Sequence, residues 1–147
     1  MRSPEYFPGR AIIENQILLP SATREASGTG DEYLADGGWR RLWLALDVDS
    51  AADDALDALD VFVQTTIDGT NWIDIAHFSQ VAGNDSPSTR VLKVSMLDAL
   101  TEFEASASLA AGNVRSIFGA QYRARWEITD NTGNASFTFS VTGAMIA

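Results

Sequence analysis

His77 is the only histidine in this 147-residue chain and the side chain best suited to general acid–base chemistry. A catalytic imidazole acts on a nucleophile or a substrate proton within hydrogen-bond reach. The chain has no cysteine, and no serine lies in the Gly-x-Ser-x-Gly pattern of a nucleophile elbow. His77 lies between Ala76 and Phe78 in a predicted strand, which favours a strand histidine fixed by a hydrogen-bond partner.

Carboxylates offer two further kinds of chemistry. A pair of acidic side chains can hydrolyse a glycosidic bond, but among 20 acidic residues some pair must be close in space. Calcium binding is the second, and Asp47, Asp49 and Asp53 are the candidate ligands. The stretch lacks the glycine and glutamate of an EF-hand loop, so we favour a solvated acidic loop that discourages edge pairing. We expect no enzymatic activity, no bound metal and no cofactor.

Composition restricts the class of protein and its partners. The formal net charge is -10, from 20 acidic and 10 basic side chains. Such a surface repels phosphate backbones and anionic lipid headgroups, which argues against nucleic-acid and membrane partners. With 46% hydrophobic residues the chain can bury a core as one domain. Neither a signal peptide nor an apolar run of about 20 residues is present, so we expect synthesis in the cytoplasm.

Apolar and polar side chains alternate with a period of two along most of the chain, which is typical of antiparallel strands with one buried face. The predicted strands are 11–19, 42–48, 59–67, 72–79, 91–96, 121–128 and 137–142. This pattern indicates an all-β antiparallel sandwich or jelly roll of about seven to eight strands. Residues 1–10 are expected to form an N-terminal arm and 11–147 the sandwich domain, with an insert at 97–113.

Turn-forming residues separate these strands. Asp68–Asn71 and Asp130–Asn134 each predict a hairpin, the second between the last two strands. Pro20 is expected to end the first strand, and 21–38 to form a long loop. Leu97, Leu100, Phe103 and Ala107 recur three or four residues apart, so we predict a short amphipathic helix over 97–112.

Four aromatic side chains outside the main apolar stripes, together with Phe103, are candidate interface residues. Trp43 and Phe62 lie on the opposite faces of their strands, where an exposed ring can stack on a sugar or a partner. A neighbouring helix, arm or subunit that covers these faces is the interpretation we favour. Tyr6 and Phe7 precede Pro8 in the arm, which either frays or docks onto a neighbour.

Three segments resemble a family of small structural proteins from tailed bacteriophages. Residues 59–80 read LDVFVQTTIDGTNWIDIAHFSQ, which is similar to that family's hairpin of the pattern VQTS-DG-W-D-F-Q. Residues 118–126, FGAQYRARW, and 136–143, SFTFSVTG, resemble two of its later strands. The resemblance covers roughly residues 40–96 and 114–144. It implies a virion component on or near the capsid, without catalytic residues.

The leading hypothesis is therefore a capsid decoration (cement) protein whose partners are the major capsid protein and further copies of itself, for example in a homotrimer. The arm and the insert at 97–113 would supply the contacts. A tail or head-completion accessory protein is the near alternative. A carbohydrate-binding or host-adhesion module is the alternative from another class, with Trp43, Phe62 or the loop at 83–87 as its binding face.

Overall fold

The computed structural model describes residues 13–34, 40–52, 54–95 and 102–146, so the predicted arm at 1–10 lies outside the described residues. Eleven strands form in these ranges, and four of them contain only two residues. Their bounds are β1 Ile13–Arg24, β2 Gly28–Thr29, β3 Tyr33–Leu34, β4 Arg41–Ala51, β5 Ala58–Thr66, β6 Trp72–His77, β7 Val81–Ala82, β8 Ser88–Ser95, β9 Asn113–Val114, β10 Gln121–Thr129 and β11 Phe137–Ile146.

The strands form two antiparallel sheets, which confirms the predicted all-β sandwich. Sheet A has four strands in the order β1-β11-β4-β8. Sheet B has the order β2-β10-β5-β6-β9, and β3 and β7 pair with β10 and β5 respectively. The seven longer strands match the seven predicted segments to within a few residues at most ends.

The core lies between the two sheets and consists of the alternating apolar side chains. On β4, Leu42, Leu44, Leu46 and Val48 are each at most 1% exposed. Sheet B contributes Leu59, Val61, Val63, Tyr122 and Ala124, and β11 contributes Phe137, Phe139 and Val141. Because full burial of one such side chain contributes about 1.5–3 kcal/mol, this double layer supplies the main driving force for folding.

Pro20 does not end β1, which continues to Arg24. The pairing of β1 with β11 shifts register on both sides of Leu19. β1 is an edge strand of sheet A, and an edge position tolerates a residue that lacks a backbone N–H donor. The predicted loop at 21–38 is also partly extended, because β2 and β3 both pair with β10.

The two turn signals lead to different connections. Asp68–Asn71 closes the β5–β6 hairpin as predicted, with Thr66 opposite Trp72. Hydrogen bonds from the Asn71 backbone and side chain, and from the Thr70 backbone, hold the pKa of Asp68 far below its usual range.

The hairpin prediction at Asp130–Asn134 is wrong. β10 belongs to sheet B and β11 to sheet A, so the loop crosses from one sheet to the other. The Asp130 carboxylate accepts hydrogen bonds from the backbone N–H groups of Thr132 and Gly133. The hydrogen bonds of such a turn lie within the turn itself. The same turn residues therefore occur whether the flanking strands pair with each other or join different sheets.

The helix prediction at 97–112 is also wrong for the part that the structure describes. Residues 102–112 contain turns and irregular backbone, and residues 97–101 lie outside the described ranges. The backbone of this stretch bonds to sheet B instead: Gly112 N donates to His77 O at 2.7 Å, and Arg115 N donates to Ile75 O at 2.8 Å. No helix in the described chain is long and apolar enough to cross a membrane.

A buried carboxylate ties together the loops at one end of the sandwich. Asp57, which is 1% exposed, lies between β4 and β5. Its two carboxylate oxygens accept hydrogen bonds from Asn131 N at 3.0 Å and from the Thr132 hydroxyl at 2.9 Å. Its backbone oxygen accepts from Gly83 N at 2.9 Å. Asp57 therefore joins three connections that each cross from one sheet to the other: β4–β5, β7–β8 and β10–β11.

Replacing this carboxylate should destabilise the fold. Asp57→Ala leaves Asn131 N and the Thr132 hydroxyl without their acceptor at a site where Asp57 itself is buried, so we expect the free energy of unfolding to fall by about 1–3 kcal/mol. Urea denaturation measures the change, and Asp31→Ala at an exposed loop position is the matched control. Equal stability of the two variants would contradict a structural role for Asp57.

Candidate functional site

Phe62, which lies opposite the main apolar stripe of its strand, is covered by its own chain and is only 2% exposed. The register places His77 of β6 on one side of Phe62 and Arg125 of β10 on the other. The His77 ring stacks on Phe62 with centroids 3.8 Å apart, and the Arg125 guanidinium lies 3.7 Å from the Phe62 ring centroid. Phe62 is thus unavailable as a binding platform, because its own chain covers it.

The segment that lies beside this covered face is residues 102–115, which we call the strap. It runs along the outer face of sheet B and ends as β9, which pairs with β6 through Ala76–Val114 and His77–Asn113. A single residue of the strap, Leu109, is held by two side chains of sheet B. Its N–H donates to Asp74 Oδ2 at 3.2 Å, and its carbonyl oxygen lies 2.7 Å from His77 Nδ1.

His77 has an acceptor at each ring nitrogen. Nδ1 faces the Leu109 carbonyl, and Nε2 lies 2.9 Å from Asp60 Oδ1. A carbonyl and a carboxylate both only accept, so the imidazole makes both hydrogen bonds when it carries two protons. The Gln80 amide donates to the other Asp60 oxygen at 2.8 Å. His77 therefore has the hydrogen-bonded strand environment that its sequence context favours.

Asp74 is the second buried polar group that holds the strap, at 4% exposure. Besides Leu109 N, it accepts a hydrogen bond from Gln64 Nε2 at 2.9 Å and pairs with Arg125 at 3.1 Å. A buried carboxylate is costly unless it is paired and hydrogen-bonded. These three donors meet that requirement and fix the position of the strap.

Phe103, a predicted interface residue, lies within the strap and is partly buried. Its ring lies 4.3 Å from the Arg115 guanidinium. Arg115 in turn donates to the carbonyl oxygens of Asp74 at 3.0 Å and Ala107 at 3.1 Å. Sequence reasoning missed Asp74 and Arg115. Asp74 carried a signal, because it is a charged residue between the apolar strand residues Ile73 and Ile75, whereas Arg115 lies in a mostly polar stretch and carried none.

A polar cleft of about 280 Å³ opens between sheet B and the strap. Gln64, Trp72, Asp74, Arg125 and Glu127 line it, with Ala105, Ser106 and Ser108 from the strap. The Arg123 guanidinium lies 4.2 Å from the Trp72 ring centroid, and partial burial lowers the pKa of Arg123 while the nearby Glu32 acts in the opposite direction. An aromatic ring beside amide and carboxylate groups is a combination that can bind a sugar ring.

The outer face of sheet A is different, because it exposes apolar side chains. Among the described residues, three of the seven large hydrophobic side chains that are exposed lie on it: Ile17 at 56%, Trp43 at 48% and Val91 at 68%. Small side chains, Ala45 and Ala144, lie between the larger ones and leave an apolar depression of about 210 Å³. Trp43, unlike Phe62, therefore remains available to a partner, and its interface role stays a prediction.

The acidic residues proposed for calcium lie near one end of this face. Asp47 accepts a hydrogen bond from the Thr89 hydroxyl at 2.7 Å, and Asp49 from the Ser21 hydroxyl at 3.4 Å. Asp53 lies outside the described residues, as do Tyr6 and Phe7 of the arm. Within the described ranges no group of three or more His, Cys, Asp or Glu side chains is placed to hold a metal ion.

These features define an antiparallel β-sandwich in which the strap covers the outer face of sheet B and the outer face of sheet A is exposed. No family model and no curated protein matches the chain. Among solved structures it is similar to the SPBc2 prophage-derived protein YomS, with a TM-score of 0.53 and 9% identity over 97% of this chain and 100% of that one. At this identity the likeness concerns the fold alone.

A second solved structure, of infectious bursal disease virus Gx strain, gives a TM-score of 0.48 and 8% identity over 99% of this chain and 36% of that one. This likeness is too weak to support an argument.

Removing the arginine that holds the strap should loosen the strap before it affects the rest of the fold. Arg115→Ala removes two hydrogen bonds and the contact with Phe103, a loss of about 1–3 kcal/mol that corresponds to roughly 5- to 150-fold faster amide exchange in the strap. Hydrogen–deuterium exchange followed by mass spectrometry measures this, with Arg90→Ala on sheet A as control. Equal exchange in the two variants would show that Arg115 does not hold the strap.

Proposed function

We propose that the chain is a virion structural protein of a tailed bacteriophage, specifically a capsid decoration (cement) protein that binds the outer capsid surface. The observation that carries this proposal is the asymmetry of the sandwich. The outer face of sheet B is covered by the strap, whereas that of sheet A exposes Ile17, Trp43 and Val91. An apolar face that the chain itself leaves uncovered is typical of a protein-docking surface.

Two further observations support a structural role. The fold extends over the full length of a prophage-derived protein, which agrees with the phage-like sequence segments at 59–80, 118–126 and 136–143. The buried polar side chains of sheet B, Asp74 and His77, bond to the strap and to neighbouring side chains. Their bonding is that of a fold-stabilising network, and we therefore propose that the protein is not an enzyme.

The physical requirement for a cement protein is modest affinity repeated many times. A capsid presents the same surface in many copies, so contacts that are weak singly become strong when one assembly engages several of them. In the proposed arrangement the major capsid protein is the partner, and the arm with Tyr6 and Phe7 reaches it. In this proposal the strap, which includes Phe103, is the second segment that contacts the capsid.

Particles of the encoding phage that lack this gene product test the proposal directly. Purified protein added to them should co-sediment with saturable stoichiometry and appear as extra density on the outer capsid surface by electron microscopy. Deletion of residues 1–10 should weaken binding at least tenfold, because the arm contacts are lost, and should leave the melting temperature nearly unchanged. Absence of wild-type binding to capsids would overturn the decoration role, and density on the tail would reassign the protein there.

A carbohydrate-binding or host-adhesion module is the second candidate, and the cleft beside Trp72 favours it. The cleft combines an aromatic ring with the polar groups of Gln64, Asp74, Arg125 and Glu127. From the sequence, Trp43, Phe62 or the loop at 83–87 was the expected binding face, but Trp43 and Phe62 lie on different sheets and Phe62 is buried. The cleft replaces them as the candidate sugar site.

A glycan array separates this candidate from the structural role. If the cleft binds a sugar, the wild type should bind a defined subset of glycans, and Trp72→Ala should reduce binding at least tenfold because stacking is lost. Trp43→Ala on the opposite sheet is the matched control and should leave the array unchanged. An array without any hit excludes the adhesion role for the glycans displayed.

A further inference from the structure

The outer face of sheet A has a defined order of residues along its strands. Cα pairing places Ile17, Thr142, Ala45 and Val91 in one row across the four strands. The next outward-facing row contains Asn15, Ala144, Trp43 and Lys93, and its two middle positions, Ala144 and Trp43, are apolar. The centre of the face is therefore apolar, and it includes the depression beside Trp43 and Ala45.

Charges of opposite sign lie at the two ends of this apolar centre. Arg41 and Lys93 lie towards one end, with Arg41 in the row beyond Trp43. Asp47 lies in the row on the far side of Ala45, and Asp49 follows it along β4. Two basic and two acidic side chains give this face a local charge of zero, although the chain as a whole carries -10.

We propose that a second copy of this chain binds to the outer face of sheet A. A two-fold axis relates the copies; it lies between sheet A of one copy and sheet A of the other and runs perpendicular to their strands. Such an axis reverses the strand direction, so the basic end of each face meets the acidic end of the other. An axis parallel to the strands would instead place like charges together. The charge pattern thus selects one orientation.

The same axis brings complementary shapes together. When it passes between the rows of Trp43 and Ala45, Trp43 of each copy lies over Ala45 of the other, at the apolar depression of about 210 Å³. Arg41 then lies opposite Asp47 of the second copy, and Lys93 lies one row and one strand away from that carboxylate. A buried indole surrounded by peripheral charge pairs is the usual form of an interface centre and rim.

The size of the face sets the expected strength. Four strands about 4.8 Å apart span roughly 19 Å, and the length from Arg41 to Asp49 is roughly 27 Å. Each copy therefore contributes roughly 500 Å², and about 1,000 Å² in total lies at the lower limit for specific interfaces. We expect a concentration-dependent dimer, in place of the trimer anticipated from the sequence.

A second copy fits this face better than another acidic partner does. Two copies that each carry -10 repel one another over most of their surfaces, so association is favoured at a charge-balanced, self-complementary face. The inference rests on the proposed role of this face as a docking surface. It does not require that the surface be attached to a capsid.

Paired charge reversals test whether this face and its charges form the contact. Arg41→Glu with Lys93→Glu makes the face entirely acidic, and Asp47→Arg with Asp49→Arg makes it entirely basic. By sedimentation equilibrium, each double variant alone should have a dimer dissociation constant at least tenfold above that of the wild type. An equimolar mixture of the two should recover the dimer, because the faces now attract one another in either orientation. Trp43→Ala should also weaken the wild-type dimer at least tenfold.

A matched control keeps this experiment interpretable. Glu25→Arg with Asp31→Arg changes the net charge as much as the basic variant does, at exposed positions away from the face, and it should remain dimeric. Thermal melting of every variant confirms that it is folded. A wild type that is monomeric at all concentrations, or a mixture that fails to associate, would overturn the proposal, and so would a dimer that persists in both charge variants.

Particle binding is measured separately, so the two proposals can fail independently. A monomeric protein that still saturates gene-deleted particles would refute the dimer and leave the decoration role intact. A dimer that obeys the charge reversals but does not bind particles would support this inference and remove the capsid assignment. A monomer whose tryptophan fluorescence changes on deletion of residues 1–10, but not when Trp43→Ala is also present, would identify the arm as the occupant of the face and refute the dimer.

Discussion

The structure depends on the fact that β5, in the middle of sheet B, is buried on both of its faces. Val61 and Val63 face the core, while Phe62 and Gln64 face the opposite side and are nearly as inaccessible, at 2% and 6% exposure. A strand with no solvated face requires a cover on each side. Sheet A is one cover. The strap is the other cover. The need to hold it explains the positions of Asp74, His77 and Arg125.

This requirement makes the two sheets unequal. The chain uses its strap on sheet B and leaves the outer face of sheet A with exposed Ile17, Trp43 and Val91. Polar groups on sheet B bond to one another, whereas the groups on sheet A are arranged as an apolar centre between charged ends. Surfaces of the second kind are typical of protein association, and this difference between the faces is the basis for the proposed structural role.

Local patterns predicted most of the secondary structure correctly because strand burial has a period that can be counted directly. The stripe from Leu42 to Val48 and the β5–β6 hairpin at Asp68 are examples. The same local information failed where two tertiary outcomes share one pattern. The turn at Asp130 forms its own hydrogen bonds whichever sheet the next strand joins. The spacing that suggested a helix over 97–112 lies partly in the strap, whose backbone bonds to β6.

By itself the sequence determined the fold class, the positions of the long strands, their inward-facing side chains and the acidic character of the surface. Those properties follow from the alternation and composition of neighbouring residues. Only the tertiary structure decided that Phe62 is covered while Trp43 is exposed, although both occupy the second face of an apolar strand. The physical reason is that the His77 ring and the Arg125 guanidinium cover Phe62, and Arg125 belongs to a strand far along the chain whose pairing with β5 no local pattern specifies.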